Sequence, residues 1–360
     1  MRIRLRSDVP VAVCLSGGID SSGLASIIAK DFNYKTKTFS IIDEDDRYNE
    51  TENIKKTLED IKCENISITL KKENFLKNLQ CQIKYHNAPV ATISYHAHSL
   101  LAKSIHENGY KVAISGTAAD EIYTGYYDHY LQHLEFCKNH KSYASNLQNY
   151  EKYIKPLIRN PIFKNSNLYI NNPKYRDHIY DGRAEIAKYM LVKNKNDFFE
   201  ENYHEDLLTN RRLNELFNEN IPLILNQEDL NCMKYSVENR SPFLDTNLFK
   251  FIFSIPNEFL IKDGFSKYLL RESLNGILND TVRLDRRKKG FNASINTLVN
   301  FKNKETLEFL LDKKSDIFHL VNINEIKKIF TNDKIPNHLS KFLFSFISSK
   351  IFLDTNDNIF

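Results

Sequence analysis

Residues 16–22 read Ser-Gly-Gly-Ile-Asp-Ser-Ser and directly follow the apolar run Val9–Leu15. A turn of this kind between a buried strand and a helix presents backbone N–H groups and the positive end of a helix dipole, which together bind anions. Gly17 and Gly18 let the backbone close on a phosphate, while Ser16, Ser21 and Ser22 add hydroxyl donors. Asp20 is the unusual member. A carboxylate beside phosphates is repelled unless a cation intervenes, which points to Mg²⁺ shared between Asp20 and the phosphates of a nucleotide. The chain contains no GxxxxGK(S/T) and no GxGxxG, so neither the Walker loop nor the dinucleotide fingerprint applies.

Glycine marks two further places. The 360 residues include only 10 Gly, under half the usual ~7%. A chain this sparing keeps glycine where no other residue fits the backbone. Gly116 and Gly125 bracket the acidic pair Asp120-Glu121, and Gly264 and Gly290 bracket a basic stretch containing Lys267 and Arg286–Lys289. Gly109 and Gly276 read as helix stops. Other chemistries lack their signatures. Cys14, Cys63, Cys81, Cys137 and Cys232 are odd in number, widely spaced and without a CxxC, which argues against a disulfide framework or a zinc site and for a reducing, cytoplasmic setting. His96 and His98 are two apart and complete no metal pattern, so they read as ordinary surface or helix-face histidines.

Several elements must position these residues. Val9–Leu15 has the continuous apolar character of a strand buried on both faces of a parallel sheet, and a helix begins near Ser21. Thr38–Ile42, Ile66–Leu70 and Lys111–Ile114 read as further strands, alternating with helices over 52–61, 74–84 and 95–108. This alternation implies an α/β fold, a mostly parallel sheet flanked by helices. The pattern changes near residue 135. Residues 138–181 lack Gly and are rich in Asn, Lys and Tyr, the mark of a helical insertion or a mobile loop, and 183–350 is mostly helical. The expected division is therefore an α/β core over 1–135 and a helical region over 136–360. Leu339–Leu353 reads as a docked amphipathic helix.

Composition bounds the function. With 50 Lys+Arg against 46 Asp+Glu the net charge is +4, too near neutral to indicate a nucleic-acid partner. No apolar run approaches the ~18 residues of a membrane span, and the start Met-Arg-Ile-Arg-Leu-Arg does not read as a signal peptide.

The loop at 16–22 resembles the signature of the PP-loop ATP pyrophosphatase superfamily, whose fold is that of the adenine nucleotide alpha hydrolases. Five further segments narrow the resemblance. Ser115-Gly-Thr-Ala-Ala-Asp-Glu-Ile-Tyr-Thr-Gly-Tyr126 resembles the S-G-x-G-A-D-E-x-F-x-G-Y of asparagine synthetases, and Ser236-Val-Glu-Asn-Arg-Ser-Pro-Phe-Leu-Asp245 their S-x-E-x-R-x-P-F-L-D. Lys267-Tyr-Leu-Leu-Arg271 and Arg287-Lys-Lys-Gly-Phe291 match K-x-x-L-R and R-x-K-x-G-F, and Arg4–Pro10 matches the segment before the loop. The resemblance covers the synthetase domain. It implies ATP as cosubstrate, Mg²⁺, adenylation of a small-molecule carboxylate with release of pyrophosphate, and displacement of AMP by ammonia. It implies that Leu15 and Ile41 pack on adenosine, with backbone contacts from Ser115 and Gly116. Asp20 and Asp120 would hold Mg²⁺, Lys267 would stabilise the α-phosphate, and Arg240 would position the loop or the carboxylate. Lys288 would belong to a phosphate-covering loop.

Two departures qualify what it implies. Thr117 and Ala118 stand where asparagine synthetases have Glu and Gly, and a threonine cannot act as a base near neutral pH. The acid is then aspartate, or a different carboxylate such as a sugar uronic acid in surface-polysaccharide synthesis. A catalytically silent nucleotide-binding subunit is a third possibility. The match also begins at the synthetase domain, so ammonia would come free or from a glutaminase domain or subunit.

Overall fold

A computed structural model of the chain describes residues 1–43, 49–180, 186–192, 198–287, 294–331, 335 and 339–355. At its centre lies a sheet of β1 (Val11–Cys14), β2 (Lys37–Ile42), β3 (Glu64–Thr69), β4 (Val112–Ile114) and β5 (Glu238–Arg240), in the order β3-β2-β1-β4-β5. Every pairing is parallel. The central strands are apolar because both faces are covered: Val11, Ala12, Val13, Phe39, Val112, Ala113 and Ile114 are all buried.

The helices follow the strands much as the sequence pattern predicts. They are α1 (Ile19–Ser26), α2 (Thr51–Ile61), α3 (Phe75–His86), α4 (Ile93–Glu107), α5 (Ala119–Tyr123) and α6 (Tyr127–Cys137). Gly109 and Gly276 have positive φ beyond helix ends, as the stop reading requires. Residues 138–180 form short helical pieces, including Tyr143–Asn149 and Leu168–Asn171.

Two features go beyond what the sequence pattern shows. The region after residue 183 is mostly helical but also supplies β5, so the sheet draws on both sides of residue 135. Three residues, one of them an exposed Glu238, carry too little apolar pattern to reveal a strand. The helix Ser340–Thr355 is docked, with Lys341 and Ser345 exposed on its outer side and a buried side wider than its apolar residues alone. It packs against α3, and Phe342, Leu343, Phe344, Phe346 and Ile347 are joined in the interior by Ser348 and Lys350. Both polar residues are satisfied there: Val90 N–H donates to Ser348 Oγ at 2.7 Å, and Lys350 Nζ pairs with Asp354 at 2.6 Å. Among the described residues no helix is long and apolar enough to cross a membrane.

Candidate active site

In an open parallel sheet, ligands bind beyond the carboxyl ends of the strands, where the strand order reverses. Here β2 lies to one side of β1 and β4 to the other, so that point falls between β1 and β4. Both strands run out there into the loops identified from sequence, Ser16–Ser22 and Ser115–Gly116.

The loop is drawn tight by its own hydroxyls. Ser21 Oγ accepts from Ser16 N at 3.0 Å and lies 3.0 Å from Ser16 Oγ, and Gly18 N donates to Ser16 Oγ at 3.4 Å. Gly17 has φ +79°, and a Cβ there would lie 2.9 Å from Glu50. The chain then enters α1 with its first N–H groups facing a cavity of about 160 Å³. Gly17, Gly18, Asp20, Asp120, Lys267, Arg271, Arg286 and Arg287 wall this cavity. The start of α1 and four cations share this cavity with the carboxylates of Asp20, Glu50, Asp120 and Asp285, and Lys267 and Arg287 are paired with three of them.

Lys267 is the hinge of the arrangement. Its Nζ lies 2.7 and 2.6 Å from the two carboxylate oxygens of Asp20 and 2.6 Å from Asp120 Oδ1. Burial opposes its charge, but Asp120 and Asp20 outweigh that and hold its pKa above the ordinary lysine value. Gly125 makes room for the trio: a Cβ there would sit 1.7 Å from Asp120 Oδ1 and 2.4 Å from Lys267 Cε. Arg212, fully buried, donates to the carbonyls of Glu121 and Ile122 and so fixes the end of α5, which carries Asp120. Two carboxylates converging on one cationic point beside this cavity form a hard-oxygen donor set that fits Mg²⁺ shared with phosphate.

A second cavity, of about 400 Å³, opens from the same residues. Ser16, Asp20 and Asp120 border both. Its near part is apolar, with Leu15, Phe39, Ile41, Leu101 and Ala113, and Ser115, Gly116 and Ser21 lie on its rim. Its far part is polar. There Thr117 Oγ1 lies within hydrogen-bond reach of both carboxylate oxygens of Glu228, at 2.9 and 3.0 Å, and Asn239 Nδ2 donates to Glu228 at 2.7 Å. Burial lifts the Glu228 carboxyl to about 7, against the opposing effect of those two hydrogen bonds. Glu121, which also lines this cavity beside Asp120, is likewise raised to about 7 by burial and then by Asp120, and it accepts from Tyr126 Oη at 2.6 Å.

The structure therefore brings together Leu15, Ser16, Gly17, Gly18, Asp20, Ser21, Ile41, Ser115, Gly116, Asp120 and Lys267. Two expected residues stand apart. Ser22 is fully buried on α1 and lines neither cavity, because the helical turn carries it away from the loop. Arg240 also lines neither. Its guanidinium donates to the carbonyls of Arg4 and Arg6 at 2.8 and 2.7 Å and pairs with Glu238. Lys288 lies outside the described residues.

Sequence reasoning missed Glu228 and His98. In the helix Asn220–Met233 Glu228 stands in the polar run Asn226-Gln227-Glu228-Asp229, which reads as a solvated face and gives no sign of its burial. His98 is a helix-face residue, partly exposed, that also lines the cavity 3.9 Å from Glu228, and desolvation pushes its pKa down to about 4. Its neighbour His96 is buried and bonds to Gln82 at 2.9 Å. All five cysteines are free. Elsewhere Asp128, His129 and Glu215 bring possible ligand atoms within 4.8 Å of one another, but Arg211 supplies the positive charge there, 3.2 Å from Glu215.

A family description, asparagine synthase, matches residues 1–344. The chain belongs to the asparagine synthase family. It is 30% identical over 333 residues to asparagine synthetase (glutamine-hydrolysing) 1 of Bacillus subtilis strain 168, covering 88% of this chain and 52% of that protein. With the third such synthetase of the same organism the identity is 26% over 332 residues, covering 88% and 50%. A shorter stretch of 140 residues, 35% of this chain and 21% of the other, is 29% identical to the amidase chyE of Penicillium rubens. The chain thus spans about half the length of the two bacterial synthetases, and both cavities fall within the family match.

Proposed function

We propose that this asparagine synthase family chain is an ATP-dependent, AMP-forming carbon–nitrogen ligase. A carboxylate attacks the α-phosphorus of ATP, pyrophosphate leaves, and ammonia then displaces AMP from the acyl carbon to give an amide. One observation carries the reading: an apolar cavity of nucleoside size and a cation-walled cavity meet at Ser16, Asp20 and Asp120, across the switch point of the sheet.

In this reading Leu15, Phe39 and Ile41 hold the adenosine, and the start of α1 with Arg271, Arg286 and Arg287 takes the pyrophosphate. Lys267 faces the charge that builds on the α-phosphate, a role whose removal costs about 10²–10³ in rate at comparable sites. Asp20 and Asp120 would bind Mg²⁺, which screens the triphosphate. The nitrogen is free ammonia or ammonia from a glutaminase domain or partner.

The far part of the larger cavity favours an acid other than aspartate. Among its described lining residues there is no Lys or Arg, whereas Asp20, Asp120, Glu121 and Glu228 are all acidic. Free aspartate brings a second carboxylate, which needs a cation to balance its burial. A hydroxyl-rich acid, such as a sugar uronic acid, would instead meet Thr92, Ser94, Thr117, Asn231 and Asn239.

Acid-dependent ATP–pyrophosphate exchange tests both parts. Exchange is expected with a uronic acid and weakly, if at all, with aspartate. Thr117→Glu should not improve aspartate if aspartate is the natural acid, and a gain there supports the uronic acid reading. Nucleotide binding with no exchange for any acid would instead identify a silent subunit.

A further inference from the structure

We infer that Glu228 is the catalytic base of the amide-forming step, placed to take the proton that the nitrogen nucleophile loses as it attacks the acyl-adenylate. This rests on the ligase reading above. In that step the nitrogen lone pair forms the C–N bond. The C–O bond to AMP breaks with its electron pair remaining on the phosphate oxygen. Because the nitrogen arrives as ammonium, one proton first passes to a Glu228 carboxylate oxygen and frees that lone pair, and the second, from the protonated nitrogen of the new C–N bond, leaves on the phosphate of the departing AMP.

The geometry singles out this residue. Glu228 comes from a helix packed on α4, on the wall of the larger cavity away from the phosphate cations. Thr117 sits three residues before Asp120, on the loop leaving β4, and Asn239 lies in β5, so the carboxylate is held from two neighbouring strands at once. It is almost wholly buried yet faces a cavity, which an ion pair serving only stability has no need to do. The groups facing it leave it the base of the far pocket at neutral pH. His98 is held neutral by desolvation, with a pKa of about 4. Tyr95 and Cys232 are pushed up to about 12 by burial, and Cys14 is raised as well. Asp229, the next residue, adds negative charge on the same helix. Glu121 shares the cavity but is engaged by Tyr126 and stands beside Asp120, on the phosphate side. The absence of Lys and Arg among the described lining residues suits ammonium as the species that arrives.

The test separates the two half-reactions. Adenylation is read by acid-dependent ATP–pyrophosphate exchange, and amide formation by single turnover at fixed total ammonium from pH 6 to 9. The wild-type amidation rate should rise through about pH 7, where Glu228 loses its proton, and then level off. Glu228→Gln should keep exchange within about threefold while amide formation falls by about 10²-fold or more. Its residual rate should climb about tenfold per pH unit, following free ammonia. Hydroxylamine, unprotonated at neutral pH, should restore acyl transfer in this variant. Thr117→Val removes a hydrogen bond to the charged form and should move the levelling to higher pH, and Glu121→Gln should leave it in place. Wild-type amidation by Glu228→Gln, or an equal fall in exchange and amidation, overturns the assignment. Absence of exchange in the wild type with every acid overturns the ligase reading itself, and this inference with it.

Discussion

Ala118 adopts φ +74° at the start of α5, a left-handed conformation that costs an L-residue about 1–2 kcal/mol. It is buried, two residues before Asp120, so the strain is held in place by the site around it. Ala118→Gly should raise the unfolding free energy by about 1 kcal/mol in urea titration. An unchanged or lower midpoint would remove strain from the account. Lys267 gives the opposite case. Without its ammonium, Asp20 and Asp120 face each other across a largely buried gap. Lys267→Ala should therefore lose about 3 kcal/mol, the low end for breaking a buried pair because both carboxylates keep some solvent access. Millimolar Mg²⁺ should recover part of that loss, and more in the variant than in the wild type. A variant indifferent to Mg²⁺ would argue against the two aspartates as a metal site. At this scale the sequence revealed Asp20, Asp120 and Lys267, because glycines and hydroxyls flag a backbone folded tightly around charge. It hid Glu228, whose significance depends on Thr117, 111 positions away, reaching the same cavity.

β5 shows what an element's pattern leaves out. Its three residues pair with β4 and place Asn239 against Glu228, while Arg240 ties down the N-terminal segment. The resemblance gave Arg240 a role in positioning the loop or the carboxylate, and motif matching alone does not reveal which way a side chain leaves its strand. Successive residues of a strand point to opposite faces. With Asn239 turned to the cavity, Arg240 must turn away. Arg240→Ala should accordingly cost about 1.5–3 kcal/mol, the range for hydrogen bonds to a charged group, and leave the KM for ATP within about twofold. A large rise in KM with little change in stability would reinstate the residue in the site. The long apolar strands were readable because burial on both faces writes a continuous run. In the helix Ser340–Thr355 the apolar residues predict docking, and only the packing shows that Ser348 and Lys350 also find partners inside.

At the scale of the molecule, the smaller cavity joins segments far apart in sequence. The loop at residues 16–20 forms one wall, Asp120 and Gly125 the next, and residues 266–287 the third. A triphosphate bound there would bridge the first half of the chain to the second, adding to the link that β5 already makes through the sheet. Ligand that binds only the folded state stabilises it by RT ln(1 + [L]/Kd), about 2.7 kcal/mol at a hundredfold excess over Kd. An ATP analogue with a non-cleavable α–β bridge, supplied with Mg²⁺ at that excess, should raise the unfolding free energy by about this amount. Hydrogen exchange should slow in both distant segments together, at residues 16–22 and at 266–287. Adenosine alone should slow exchange near Leu15 and Ile41 but not at 266–287. If the analogue protects the loop and leaves 266–287 unchanged, the cations of that segment do not grip the phosphates and the two cavities do not act as one site. Protection of both by the analogue, and of one by adenosine, would place the nucleotide across the junction at Ser16, Asp20 and Asp120, with its α-phosphorus at the mouth of the cavity that holds Glu228.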